Sequence, residues 1–263
     1  MLYLTYSLDI LLLFAIPIAL GIFLVRRFYL EGRWWWIGAI TYILSQVILL
    51  PFENYIINPF LNNLSSSGKL PSLEALIFGG LILGLCAGVI EELLRYGMLR
   101  WWTKDARSFE SGLLVGTGFG GAASILLAFL VIYNFVNMII VRNQDLTTLV
   151  PADKYQIVLS QITAFWSAPW YVTLKEAIGQ LFMLAIELCL TVMVLQTFIR
   201  KQWYWLAFAI GFHALMETSR VITVNVSNET LMYVVQGGFA ILSVLIILAL
   251  RHPKPSENPP LDA

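Results

Sequence analysis

The chain has 263 residues, of which 59% are hydrophobic and only 12% are charged, and its formal net charge is zero. A soluble domain carries about twice this charged fraction, so the composition indicates an integral membrane protein with several helices rather than several domains. The zero net charge gives a nucleic-acid partner no electrostatic support. The two cysteines, Cys86 and Cys189, lie in apolar runs, which favours reduced packing residues over a disulfide framework.

Seven apolar segments are long enough to cross a lipid bilayer, and together they predict an all-α, polytopic transmembrane helix bundle. These segments are 7–25, 34–52, 74–99, 110–141, 177–199, 203–219 and 231–250. The mixed, aromatic stretch 153–174 is typical of an additional helix in the membrane interface. Residues 1–251 are therefore expected to form a single transmembrane domain, and the proline-rich residues 252–263 are expected to form a disordered cytoplasmic tail.

The distribution of basic residues predicts the orientation of these spans. Lys and Arg concentrate on one side of the predicted bundle, at 26–33, 100–107, 200–201 and 251–254. Loops rich in Lys and Arg usually remain in the cytoplasm. We therefore expect the N-terminus to lie outside the cell and the C-terminus to lie in the cytoplasm.

Charged residues inside the third segment suggest a functional site. Glu91 and Glu92 are adjacent, and Arg95 follows one helical turn later. Charged groups in hydrocarbon are costly and usually have a functional role. The two acids lie about 14–15 Å from the predicted cytoplasmic end of their helix, His213 lies about 15 Å from the same side, and Glu187 lies about 18 Å from it. We therefore expect these side chains to meet in one polar layer.

Glycines recur at every fourth position of the third and fourth segments. They are Gly80, Gly84 and Gly88 in one segment and Gly112, Gly116 and Gly120 in the other. Small residues with this spacing let helix backbones approach closely in lipid. Although the glycines can serve packing alone, their position predicts that the acidic pair faces the interior of the bundle.

Each polar residue of the predicted layer also has a purely structural interpretation. Arg95 can simply neutralise Glu92, and a single histidine such as His213 on an apolar helix is usually a core residue with satisfied hydrogen bonds. Glu187 can cap a buried hydroxyl network that includes Thr191. The sequence alone leaves these alternatives open.

Two further acids lie near the predicted outer ends of their helices. Glu217 follows His213 by one turn, so it can support the polar layer or form an ordinary interfacial ion pair with Arg220. Glu176, beside Lys175, is interpreted as marking the point where the fifth segment leaves the outer interface.

The sequence resembles the YhfC-type intramembrane endopeptidases. The resemblance consists of Glu91-Glu92-x-x-Arg95 on a membrane helix, then a basic loop, a glycine-rich helix and a later helical histidine. It extends from the first helix to the helix of His213 and is strongest over residues 84–122. The family is similar in pattern to the CAAX prenyl endopeptidases and the PrsW-type proteases. The resemblance implies cleavage of a membrane protein or peptide at or within the bilayer, and we expect that bilayer to be a prokaryotic cell membrane.

The resemblance also assigns roles to individual residues. It implies that Glu91 and Glu92 activate water, that Arg95 forms an ion pair with them, and that His213 binds an oxyanion or a metal ion. Zinc, with His213 and Glu92 among its ligands, is the metal that this chemistry suggests. However, the chain has only one other histidine, His252, and it lacks the HExxH spacing of many zinc peptidases. The cofactor is therefore left open.

One departure from the family pattern bears directly on activity. The family motif Gly-His-Gly-Gly-x-Glu corresponds here to residues 118–123, in which Phe119 replaces the histidine and Ala123 replaces the glutamate. The loss of two polar side chains keeps open a non-catalytic relative that binds a membrane peptide or a lipid. A small transporter is a further alternative because buried Glu and His also occur in transporters, but no inverted repeat favours it.

Overall fold

The computed structural model describes residues 1–66, 72–142, 144–146, 150–226 and 229–251. Within these ranges the chain forms helices and no strands, which confirms the predicted all-α class. The helices are α1 (Leu2–Phe28), α2 (Arg33–Phe52), α3 (Asn58–Ser66), α4 (Ser72–Trp101), α5 (Phe109–Arg142), α6 (Tyr155–Ser167), α7 (Lys175–Ile199), α8 (Tyr204–Asn225) and α9 (Glu229–Leu250). The tail predicted to be disordered, 252–263, lies outside the described residues.

Six helical segments of the described chain are long and apolar enough to cross a membrane. They are Leu2–Phe28, Arg33–Leu64, Leu73–Trp101, Phe109–Arg142, Trp170–Ile199 and Glu229–Leu250. A seventh helix, α8, has 22 residues and is therefore about 33 Å long, although its polar side chains lower its mean hydropathy. It packs lengthwise against α4. The bundle thus agrees with the prediction of about seven spans.

The second span is longer than the sequence predicts. Hydropathy places its end at residue 52, but the chain continues through a π-helical turn, Glu53–Ile57, into α3. Pro51 lies in the last turn of α2 and has no backbone N–H to donate, and irregular hydrogen bonding is common near such a residue. Hydropathy detects where polar side chains begin, which is not where this helix ends.

The aromatic stretch 153–174 contains α6 and a short 3₁₀ turn, Trp170–Leu174, that leads into α7. With 13 residues, α6 is about 20 Å long and is too short to cross a bilayer. None of its residues is buried, and Phe165 stacks on Tyr6 of α1 with ring centroids 5.0 Å apart. Its location in the membrane interface stays a prediction.

Glycines set the closest helix contacts, as their spacing predicts. A Cβ atom added to Gly84 would lie 2.4 Å from the carbonyl oxygen of Ala214, so α4 and α8 are in backbone contact there. A Cβ atom added to Gly118 would lie 1.9 Å from the carbonyl oxygen of Trp35, which joins α5 to α2. The Gly112, Gly116 and Gly120 face of α5 meets α7. These contacts join α4 to α8 and connect α5 to both α2 and α7. Both cysteines are free.

Candidate catalytic site

Glu92 lies at the centre of the buried polar layer. Its Oε1 forms a hydrogen bond of 2.8 Å with Nδ1 of His213, and its Oε2 lies 3.2 Å from Nη1 of Arg95. Glu92 and Arg95 are both 0% exposed. Gly88 allows α4 and α8 to approach closely enough for this hydrogen bond. A Cβ atom on Gly88 would lie 2.9 Å from the carbonyl oxygen of Ile210, and the two helices would have to separate. The carboxylate of Glu92 is thus held by α4 and α8 together.

Arg95 extends the layer to α7 and α5. Its Nη2 donates a hydrogen bond of 2.6 Å to Oε2 of Glu187, and its guanidinium carbon lies 4.0 Å from the ring centroid of Phe119. Its Nε and Nη1 make no hydrogen bond within the described part of the chain. The aromatic face compensates part of this deficit, because it attracts a desolvated cation. Phe119, which the resemblance aligns with a histidine, therefore packs on the buried cation, and Tyr42 packs edge-on against its ring at 5.2 Å.

Glu91 points in a different direction from its neighbour and binds an amide from α2. Nε2 of Gln46 donates a hydrogen bond of 2.9 Å to Oε1 of Glu91. The sequence interpretation did not include Gln46. The signal was nevertheless present, because Gln46 is the only amide side chain in the segment 34–52, about 18 Å from its predicted cytoplasmic end.

A cavity of about 600 Å³ lies against this layer. Glu91, Glu187 and His213 line its wall, whereas Glu92 and Arg95 are buried behind that wall. The cavity continues beside α7 as far as Glu176, 11 positions from Glu187, which corresponds to about 16 Å. It ends near the helix termini on the side that the charge pattern predicts to be extracytoplasmic. The two acids of the pair therefore differ in their access to the cavity.

The structure brings together Glu91, Glu92, Arg95, His213 and Glu187, as their estimated depths suggest. The alternative role of Glu187 as a cap for Thr191 is wrong. The hydroxyl of Thr191 donates to the backbone carbonyl of Glu187 at 2.9 Å, the usual partner of a mid-helix threonine, and the carboxylate is left for Arg95.

Glu217 does not join this group. Its two carboxylate oxygens accept hydrogen bonds of 2.9 and 2.5 Å from Arg220, so the structure contains the ion pair with Arg220, and its location at the outer interface stays a prediction. Both residues also line the cavity.

The donor set does not fit a zinc ion. Zinc in peptidases is usually bound by three protein side chains, often with two histidines among them. Among the described residues, no three His, Cys, Asp or Glu side chains form a group that could hold a metal ion. Glu92 already contacts both His213 and Arg95, and the guanidinium of Arg95 occupies the space between Glu92 and Glu187. The metal-ligand role predicted for His213 and Glu92 gains no support from this arrangement and stays a prediction.

Comparisons with known proteins give a consistent result. The model of the family described as YhfC intramembrane metalloprotease matches residues 12–237. The chain is also similar to the uncharacterized membrane protein YhfC of Bacillus subtilis (strain 168), with 25% identity over 212 residues that cover 80% of each chain. No solved structure matches the chain. Since the family model covers most of the sequence, including the whole polar layer, this membrane protein belongs to the YhfC intramembrane metalloprotease family.

Proposed function

We propose that this protein is an intramembrane peptidase that hydrolyses peptide bonds with Glu91 and His213, without a step that uses a metal. The observation that carries the proposal is the different placement of the two acids. Glu91 and His213 line a cavity of about 600 Å³, while behind its wall Glu92 binds His213 and Arg95 binds Glu92 and Glu187. Peptide hydrolysis needs an activated water and a group that stabilises the oxyanion, and these two side chains can supply both.

Glu91 is the proposed general base. Its carboxylate takes a proton from water as the water oxygen attacks the peptide carbonyl carbon. When the tetrahedral intermediate collapses, the C–N bond breaks and the same carboxyl group returns the proton to the leaving amine. The hydrogen bond of 2.9 Å from Gln46 fixes one oxygen of Glu91 and leaves the other for water.

His213 is the proposed oxyanion donor. Its Nδ1 is bonded to Glu92, so Nε2 is the ring nitrogen that remains for a substrate. As an imidazolium, His213 donates hydrogen bonds from both ring nitrogens. Its positive charge also offsets part of the surplus of negative charge that Glu91, Glu92 and Glu187 create around Arg95. In this proposal Glu92 and Arg95 are positioning residues, because they act through His213 and Glu187.

The proposal is tested with purified full-length protein in detergent micelles and a decapeptide that carries a fluorophore and a quencher at its two ends. Glu91→Gln should reduce cleavage by about 10²–10⁴-fold, and His213→Ala should reduce it by about 10²–10³-fold. Glu74→Gln is the matched control, since Glu74 lies exposed on the same helix, and it should leave the rate unchanged. Equal rates for the wild type and Glu91→Gln would remove this mechanism.

A non-catalytic relative that binds a membrane peptide or a lipid is the second candidate. Phe119 and Ala123 favour it, because an aromatic ring and a methyl group take the places of two polar groups of the family motif. If the wild-type protein binds the decapeptide but releases no fluorescence, this second function replaces the first.

For orientation we propose an extracytoplasmic N-terminus, as the basic loops indicate, so that the cavity opens away from the cytoplasm. A single cysteine introduced at Glu176 in an otherwise cysteine-free variant should then react in intact cells with a maleimide that cannot cross membranes. Reaction only after cell lysis would reverse the proposed topology.

A further inference from the structure

The outer half of the cavity has chemistry that the proposed hydrolysis does not use. Glu53 of the π-helical turn and Glu176 of α7 line it, and the carboxylate of neither makes a hydrogen bond or an ion pair with any residue that the structure describes. Among the described residues that line this half of the cavity, Arg220 is the basic one, and both oxygens of Glu217 already bind its guanidinium. This outer half, which we call the mouth of the cavity, therefore carries a surplus of negative charge.

A buried amide points to a ligand in the same space. Gln236 of α9 is 7% exposed and lines the cavity, and its side-chain amide makes no hydrogen bond in the described parts of the chain. It lies opposite Gly179, where an added Cβ atom would be 3.9 Å from the Oε1 of Gln236. A buried amide without a partner is costly, and its donor and acceptor match those of a peptide group. Nearby Lys175 does not neutralise the mouth, because it forms an ion pair with Glu229.

The distance from the polar layer to the carboxylate of Glu176 predicts the length of peptide that the cavity binds. Glu53 follows Gln46, the partner of Glu91, by seven positions, or about 10 Å, and Glu176 precedes Glu187 by 11 positions on α7, so the carboxylate of Glu176 lies about 16 Å from the polar layer. An extended peptide rises about 3.3 Å per residue and covers this distance in about five residues. Gln236, level with Gly179, lies about 12 Å from the layer and would meet the backbone of the same peptide.

We propose that the cavity is specific for extended peptides with a cationic group about five residues from the scissile bond. Glu176 binds that group, Glu53 adds negative charge to the wall of the same cavity, and Gln236 binds the intervening backbone. The cationic group is a Lys or Arg side chain or a free amino terminus. This inference rests on the proposed peptidase function for its biological meaning, but binding can be measured without cleavage.

The test uses fluorescence anisotropy of dye-labelled decapeptides with the Glu91→Gln protein in detergent micelles. The peptides carry Lys or Gln five residues from the central bond, each with an acetylated or a free amino terminus. The acetylated Lys peptide should bind about 5- to 10-fold more tightly than the acetylated Gln peptide. If only the free amino terminus produces this gain, the terminus is the cation that the cavity recognises.

Variants assign the preference to the named residues. Glu53→Gln combined with Glu176→Gln should abolish the preference for Lys, whereas Glu74→Gln, which removes the same charge from an exposed position outside the cavity, should retain it. Gln236→Leu should weaken the Lys and Gln peptides equally. Equal binding of all four peptides, a preference that survives the double substitution, or no binding at all would overturn the inference. Binding with the expected preference but no cleavage by the wild type would instead refute only the peptidase function.

Discussion

The buried cation Arg95 allows a sharp test of the polar layer. Its guanidinium, 0% exposed, lies 2.6 Å from Glu187, 3.2 Å from Glu92 and 4.0 Å from the ring centroid of Phe119. Arg95→Met fills similar space but leaves Glu187 without its partner in a desolvated site. Removing one member of a buried ion pair costs about 3–5 kcal/mol, so we expect a loss of this size in the free energy of unfolding.

A second substitution separates this electrostatic explanation from a simple packing defect. Glu187→Gln alone should destabilise the protein, because it weakens the hydrogen bond to Arg95. In the Arg95→Met background the same change should instead recover about 1–3 kcal/mol, since it neutralises the unpaired carboxylate. Arg26→Met is the control, because Arg26 is exposed, and it should change stability by less than about 0.5 kcal/mol.

These free energies can be measured by reversible unfolding in mixed micelles of increasing sodium dodecyl sulfate content, with helix content followed by circular dichroism. The informative result is the sign of the Glu187→Gln effect in the two backgrounds. If Glu187→Gln destabilises the wild type and the Arg95→Met variant by the same amount, the two side chains are not coupled and the described network is wrong.

Three other outcomes follow from particular contacts. Gly118→Ala should destabilise the bundle by several kcal/mol in the same unfolding assay, because its Cβ would lie 1.9 Å from the backbone oxygen of Trp35. Gly211→Ala is the control, because Gly211 has open space around it, and it should be neutral or stabilising by up to about 1 kcal/mol. Asp9 accepts a hydrogen bond of 2.9 Å from the backbone N–H of Ala177 in the first turn of α7, so Asp9→Ala should cost about 1–2 kcal/mol and Asp9→Asn, which retains the acceptor, should cost less. Treatment with a zinc chelator should leave peptide cleavage and thermal stability unchanged. The metal-free proposal would be contradicted if elemental analysis found a stoichiometric metal and its removal abolished cleavage.

The sequence determined the class of the protein and most of the residues of its candidate site. Composition and apolar length are local properties, so they predicted a helical membrane bundle without any knowledge of packing. The depths of Glu91, Glu92, His213 and Glu187 along their helices predicted a common layer, because an α-helix rises by a constant amount per residue. The family resemblance followed from a motif that is continuous in sequence.

Only the tertiary structure decided which way each side chain faces within that layer. Neighbouring helix positions point about 100° apart, so Glu91 reaches the cavity while Glu92 binds His213 behind it, and the rotation of α4 against α8 determines this choice. The partners Gln46 and Phe119 come from other helices, and such contacts depend on helix rotation and approach distance. Hydropathy and motif spacing contain neither quantity.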